Sequence, residues 1–200
     1  MNDGFPRRIV LASTSRYRRE LLERLHIPFD VRGPIGVDER SVVLPPRELA
    51  LELAYRKAAS VAAVEPDAIV IGSDQTASVD GEPQHKPETP ERARAQLRQL
   101  AGQEHELLTG VVILDARTGS RLDHLDVHRL RFRHLTDAEI ADYVAIDRPT
   151  DCLGACKIES LGISLMDSIA GEDFTAITGL PLIAVTRMLR QLGVPVLGWR

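Results

Sequence analysis

The chain has little cysteine, little lysine and no long apolar run, and each shortage excludes something. Two cysteines in 200 residues, Cys152 and Cys156, are too few for a disulfide framework and point to a reducing compartment. With no companion Cys or nearby His, their spacing also falls short of a zinc site. No apolar stretch approaches the ~20 residues of a membrane-spanning helix. The charged residues at positions 1–8 are followed by no apolar signal region. A cytoplasmic location without a membrane partner is the expectation. A net charge of -4 argues against a nucleic-acid-coating protein, so any site for a polyanion is local. No Gly-rich loop matches a Walker or dinucleotide fingerprint. Gly72-Ser73-Asp74 lacks the flanking residues of a nucleophile elbow.

The shortage of lysine carries a positive hint. Of 25 basic residues 22 are arginine, and only Lys57, Lys86 and Lys157 are lysine. A chain that uses arginine for generic surface charge keeps lysine where a compact cation on a flexible stem is wanted, as around a phosphate.

What is present reads as one soluble domain over 1–200, with a division into two lobes around a central cleft allowed. The chain is long enough to bury a substantial core, and 44% hydrophobic with 27% charged residues is ordinary for a globular protein. The organising stretch is Arg8–Leu25. Ile9, Val10 and Leu11 form a short apolar run that ends in Ala12 and the hydroxyl cluster Ser13-Thr14-Ser15. Tyr17, Leu21, Leu22 and Leu25 then recur on one helical face, and Ser15 can cap that helix. Arg16, Arg18 and Arg19 crowd its first turn, where the macrodipole is already positive. Free N–H groups, hydroxyls and guanidinium forks together describe a phosphate site; a basic solvated face is the alternative.

Further along, Ile27–Val31 reads as a short strand, and the Gly/Pro-rich loop after it presents Asp38-Glu39. Adjacent carboxylates could ligate Mg²⁺ or Mn²⁺ or simply be solvated. Pro45-Pro46 opens a helix whose apolar stripe includes Leu49, Leu53, Ala54, Ala58 and Val61, with Lys57 beside it. Ala68–Gly72 is the cleanest buried strand, with Ser73-Asp74-Gln75 leaving its carboxyl end, where ligands bind in α/β sheets. Asp80-Gly81 predicts a hairpin turn, Thr89-Pro90 a capped helix, and Thr136-x-x-Glu139 a capping box. Strands are expected over Leu107–Leu114 and Leu122–Phe132. Cys152–Leu165 reads as irregular, then strand-like. A final helix carries Leu182, Ile183, Val185, Met188, Leu189 and Leu192. On a strand His124 and His128 would stand about 13 Å apart, too far to share an ion, and they read as polar-face residues. The element order fits an α/β fold with a mixed sheet flanked by helices.

Several motifs now line up: Leu11-Ala12-Ser13-Thr14-Ser15-x-x-Arg18-Arg19, Val37-Asp38-Glu39, Lys57-Ala58, Ile71-Gly72-Ser73-Asp74-Gln75, Lys86-Pro87 and Gly179-Leu180-Pro181. In order and at these spacings they resemble the Maf family of nucleoside triphosphate pyrophosphatases, over about residues 8 to 192. The resemblance implies a Maf/inosine-triphosphatase-like fold and hydrolysis between the α- and β-phosphates. Ser-Asp-Gln and Lys157-x-Glu159 resemble the branch acting on 7-methyl-GTP; the dTTP/UTP branch typically carries Ala-Asp-Thr. It makes Asp74 the catalytic carboxylate and Tyr17, Gln75 and Glu159 the specificity positions. Ser13, Arg18, Arg19, Lys57 and Lys86 would bind phosphates, and Asp38 with Asp74 would hold a divalent Mg²⁺ or Mn²⁺. The expected partner is a nucleoside triphosphate, not nucleic acid, and a homodimer is allowed. Pyrophosphatases of other base preference and a non-catalytic nucleotide-binding regulator of cell division are the competing readings. This chain departs from the pattern at Arg16, where the family usually has Pro, and at Tyr17, where the 7-methyl-GTP branch tends to carry Trp. Gly36 replaces a common Glu, and Ser160 a common Gly.

Overall fold

The computed structural model describes residues 7–198. In chain order the elements are β1 (Ile9–Leu11), α1 (Arg16–Glu23), β2 (Asp30–Val31), α2 (Pro46–Ala62), β3 (Ile69–Val79), β4 (Glu82–Gln84), α3 (Pro90–Leu100), β5 (Glu104–Asp115), β6 (Arg121–Phe132), α4 (Asp137–Asp147), β7 (Met166–Ala170) and α5 (Leu182–Gln191). Single 3-10 segments cover Glu39–Ser41, Leu153–Ala155, Leu161–Leu165 and Phe174–Thr178. The strands hydrogen-bond in the order β2-β1-β3-β5-β6-β7, with β4 on β3. β1 is parallel to β2 and β3, while β3/β4 and β6/β7 are antiparallel. The fold is therefore α/β with a mixed sheet flanked by helices.

The chain divides into two compact units. Among the described residues, the first comprises those up to 75, 109–126 and those from 173 on; the second comprises 76–108 and 127–172. In the first, the alternation of strand side chains builds two apolar layers. Ile9, Leu11, Ile69, Ile71, Val111 and Ile113 meet Leu21 and Leu22 of α1 and Val185, Met188 and Leu189 of α5. Val10, Val70 and Val112 point the other way, onto Ala54, Ala58 and Val61 of α2. The α2 layer is unusually close. A Cβ on Gly72 would lie 2.3 Å from the Ala54 carbonyl oxygen, and one on Gly110 2.5 Å from that of Ala50. Two glycines in the sheet and alanines at 50, 54 and 58 thus let the helix backbone rest almost directly on β3 and β5.

In the second unit Ala93, Leu97 and Leu100 of α3 pack with Ile140, Tyr143 and Val144 of α4 around Phe132, Ala155 and Leu165. Its helix ends are chemically closed. Thr89 accepts from the Arg92 N–H at the start of α3, and Thr136 and Glu139 form the expected capping box on α4. The β3–β4 turn has Asp80 and Gly81 at φ of 49° and 85°, as a two-residue hairpin of this type requires.

Five expectations need correction, the first being that the end of Cys152–Leu165 is not strand-like: Leu161–Leu165 is a 3-10 turn and the strand β7 begins only at Met166. The strand expected over Ile27–Val31 is only Asp30–Val31, because Pro28 has no N–H to give a ladder. β3 does not stop at Gly72 but runs to Val79, so Asp74 lies inside the strand. Its polar side chains find partners, described below, and the strand continues through them. In α5 it is Ala184 that turns inward, while Ile183 is exposed. His128 is buried, not on a solvated face: its ring lies where a Cβ on Gly171 would stand, 2.3 Å away. No described helix is long and apolar enough to cross a membrane.

Candidate active site

The chemistry of the first unit gathers around Lys57. The inward stripe of α2 is Ala50, Leu53, Ala54, Lys57, Ala58 and Val61, so a lysine occupies a position that helical spacing assigns to the core. The close approach at Gly72 sets this turn of α2 against β3, two residues before Asp74. Lys57 and Asp74 are both buried, at 6% exposure each. The ammonium donates to Asp74 Oδ1 at 2.5 Å and lies 2.8 Å from Glu39 Oε1. A charge this deep is tolerated only when paired, and here two carboxylates converge on one cation.

β1 ends at Leu11, paired with Ile71. Asp74 therefore lies just past the carboxyl end of its parallel neighbour, although inside its own strand. The turn leaving β1 carries Ser13, buried, whose hydroxyl accepts from the Ser15 N–H at 3.1 Å. Ser15 in turn caps α1 by accepting from the Arg18 N–H at 3.4 Å. The first turn of α1 holds no acidic residue, so its positive end is unanswered from within the helix.

Adjacent arginines part ways here. Arg18 Nε donates to the Gly179 carbonyl at 2.9 Å. Desolvation lowers its pKa from the usual arginine value, and the charges of Asp74 and Glu39 oppose that shift. Arg18 is thus electrostatically part of the Lys57–Asp74–Glu39 group. Arg19 is exposed and pairs with Glu23 one turn on, at 2.9 Å, the geometry of a weak surface pair.

Gln75 is committed to the fold. Its amide nitrogen donates to Thr109 Oγ1 and to the carbonyls of Ala176 and Ile177, at 2.9 to 3.0 Å. Only its oxygen remains for a ligand, so of the two hydrogen-bonding functions of an amide it keeps only that of acceptor. Ser73 bonds the Gly110 and Gly179 carbonyls. The Phe174–Thr178 segment held this way is fixed further by Asp173. That buried carboxylate accepts from the N–H groups of Thr175 and Ile183, at 3.1 and 2.6 Å, capping α5. The sequence carries Glu39 and Ser73 within matched motifs but without these contacts, and it gives no sign of Thr109 or Asp173. Glu39 stands in the sequence as half of an acidic dipeptide, and Thr109 and Asp173 carry no local signature.

Asp38, expected as a metal ligand, is exposed and accepts from its own Arg40 N–H at 3.1 Å; it is Glu39 that reaches Lys57. No group of three or more His, Cys, Asp or Glu able to hold a metal occurs among the described residues. Tyr17 is half-buried beside Arg16 on α1. Lys86 and Glu159 belong to the second unit, and both are exposed. Lys157 closes α4 from outside: its ammonium donates to the Asp147 and Arg148 carbonyls at 2.9 and 3.3 Å.

The family model described as Maf-like protein matches residues 8–192. A protein of Bordetella pertussis named 7-methyl-GTP pyrophosphatase is 49% identical over 192 residues, covering 96% of this chain and 95% of that one. Proteins of the same name from Polaromonas sp. and Albidiferax ferrireducens are 49% and 43% identical, covering 94% and 99% of this chain and 86% and 100% of theirs. Among solved structures, the Ham1 protein of Staphylococcus aureus aligns with a TM-score of 0.47 at 15% identity, over 62% of this chain and 71% of that one. That likeness is too slight to argue from.

Proposed function

The chain belongs to the Maf-like protein family, and from that premise we propose that it hydrolyses nucleoside triphosphates between the α- and β-phosphates, acting on 7-methyl-GTP. The observation that carries the reading is the buried Lys57 ammonium held by Asp74 and Glu39 beside Arg18. A core that needed only stability would not place the buried Lys57–Asp74 charge pair there, since apolar residues of similar volume do as well or better. The name shared by relatives at 43–49% identity supplies the substrate.

Phosphoryl chemistry is catalysed mainly by positioning and by neutralising charge. Lys57 and Arg18 are the cations available for this, with Ser13 and the free N–H groups at the start of α1 as neutral donors. Asp74 orients or deprotonates the attacking water. Glu39 counters Lys57 where no phosphate is bound and yields that cation to the substrate. We extend to Lys86 and Glu159 the roles that the family resemblance implies, phosphate binding and recognition of the guanine edge. The carboxylates of Asp74 and Glu39 now meet at the Lys57 ammonium, and they would become oxygen donors for Mg²⁺ or Mn²⁺, beside substrate phosphates, only once that ammonium has moved onto the phosphates. Such an ion would add charge neutralisation at the scissile phosphates.

The test is pyrophosphate release across canonical and modified nucleoside triphosphates, with and without Mg²⁺ or Mn²⁺, for the parent and Asp74→Asn. Turnover of 7-methyl-GTP should fall by ~10²-fold or more in the folded variant, with nucleotide binding retained and Glu39 left as the counter-charge to Lys57. Near-normal turnover in the folded variant would remove Asp74 from the chemistry.

A further inference from the structure

Arg16 is the first residue of α1, and it stands where the family usually carries proline. The helix dipole does not favour it: the macrodipole is positive there, and the first turn holds no acidic residue. Its guanidinium turns instead onto the neighbouring side chain. Arg16 Cζ lies 4.7 Å from the centroid of the Tyr17 ring, inside the range of a cation–π contact. Nη2 also donates to the Tyr17 hydroxyl at 2.8 Å. The ring is thus covered by a cation that a hydrogen bond pins in place, and a proline could make neither contact.

We infer that Arg16 is a specificity-determining residue that sets how far Tyr17 can favour a cationic base over a neutral one. The inference rests on the proposed activity and on Tyr17, a specificity position by family resemblance, acting as the platform on which the base stacks. A 7-methylguanine carries positive charge and is drawn to an aromatic face by the same quadrupole that holds Arg16. Two cations compete for one face. The methylated base must break the Nη2–hydroxyl bond, displace the guanidinium, and remain near it at the positive end of α1. Neutral guanine meets no such repulsion and can stack on the planar guanidinium as well as on the ring. Arg16 therefore opposes the charged substrate selectively.

The test compares kcat/KM for 7-methyl-GTP and for GTP, by pyrophosphate release, in the parent and in Arg16→Ala, Arg16→Gln, Tyr17→Phe, Tyr17→Leu and Arg16→Ala/Tyr17→Leu. The ratio of the two substrates is independent of how much protein is folded. Removing the charge by either Arg16 substitution should raise the 7-methyl-GTP to GTP ratio by about 3–10-fold, the scale of one cation–π contact. Tyr17→Phe keeps the ring but releases the guanidinium, and should raise the ratio by a smaller factor. On the Tyr17→Leu background Arg16→Ala should change nothing. An unchanged or lowered ratio in both Arg16 variants, with Tyr17→Leu alone shifting it, overturns the role of Arg16 and leaves Tyr17 as the platform. No shift with Tyr17→Leu overturns both. A parent that releases pyrophosphate from neither nucleotide overturns the proposed activity and this inference with it.

Discussion

Lys57 in the first unit and Lys157 in the second are both tied down, but by different kinds of partner. Lys57 is buried between two carboxylates on an apolar helix stripe, where no helix end or surface asks for a cation. Lys157 donates to the last carbonyls of α4 and stands 3.4 Å from Asp151, at the end of a helix that welcomes positive charge. The Thr136–Glu139 capping box at the other end of α4 uses a charge in the same way. The difference teaches how to separate charges that serve the fold from charges that serve a ligand. Lys157 is accounted for by local structure, and the Lys57–Asp74–Glu39–Arg18 group is not.

The largest stability effect expected is at the close contact that builds the charged group. Gly72→Ala would drive a Cβ to 2.3 Å from the Ala54 carbonyl oxygen, which only a shift of α2 can relieve. The expected loss is about 3 kcal/mol or more in denaturant unfolding. Pyrophosphate release by the remaining folded protein should also drop, because Lys57 moves with α2. A neutral result would mean that the approach of α2 is not what sets Lys57 against Asp74.

The second unit should break through its core instead, and with pH. His105 is buried, stacks on Phe132 with ring centroids 5.2 Å apart, and has no partner for Nδ1. Burial pushes its pKa from 6.5 down to about 4. The unfolded imidazole is protonated below about pH 6.5, the folded one only below about 4. Between those values unfolding takes up a proton, so stability falls as pH drops, by about 3 kcal/mol over the window. His105→Leu should flatten that slope in unfolding measured from pH 7 to pH 4. An unchanged slope would place the acid sensitivity elsewhere.

Smaller effects sharpen the contrast. Thr136→Ala removes a reciprocal cap and should cost about 1 kcal/mol with kcat/KM unaltered. Arg19→Ala should stay within about 0.5 kcal/mol of the parent in stability and leave KM for the triphosphate unchanged, whereas Arg18→Ala raises that KM steeply. Equal KM effects at the two positions would mean that the exposed face of α1 also meets the substrate.

These arginines also mark how far the sequence could be read. Arg18 and Arg19 are adjacent, equally charged and in one helical turn; only the distant carbonyl of Gly179 separates their roles. Local chemistry was legible: the Ser15 cap, the Asp80-Gly81 turn, the Thr136–Glu139 box, and Lys57 as a lysine on an apolar stripe. Contacts between residues far apart in sequence were not. Gln75 looked free to read a base, because nothing nearby shows that its amide nitrogen is spent on Thr109, Ala176 and Ile177. β3 looked finished at Gly72, because Ser73 and Asp74 interrupt an apolar run and their partners lie on other elements.

The central claim is that the buried Lys57–Asp74 pair of the first unit serves a ligand and not the fold. Its most direct test is Lys57→Met/Asp74→Leu, which removes both partners and leaves no unpaired charge between them. Thermal unfolding and pyrophosphate release from 7-methyl-GTP would be measured on the same preparation. The account predicts a melting temperature at or above that of the parent and turnover reduced by ~10²-fold or more. A variant that keeps its turnover, or one whose folding collapses so that stability explains the loss, would contradict it.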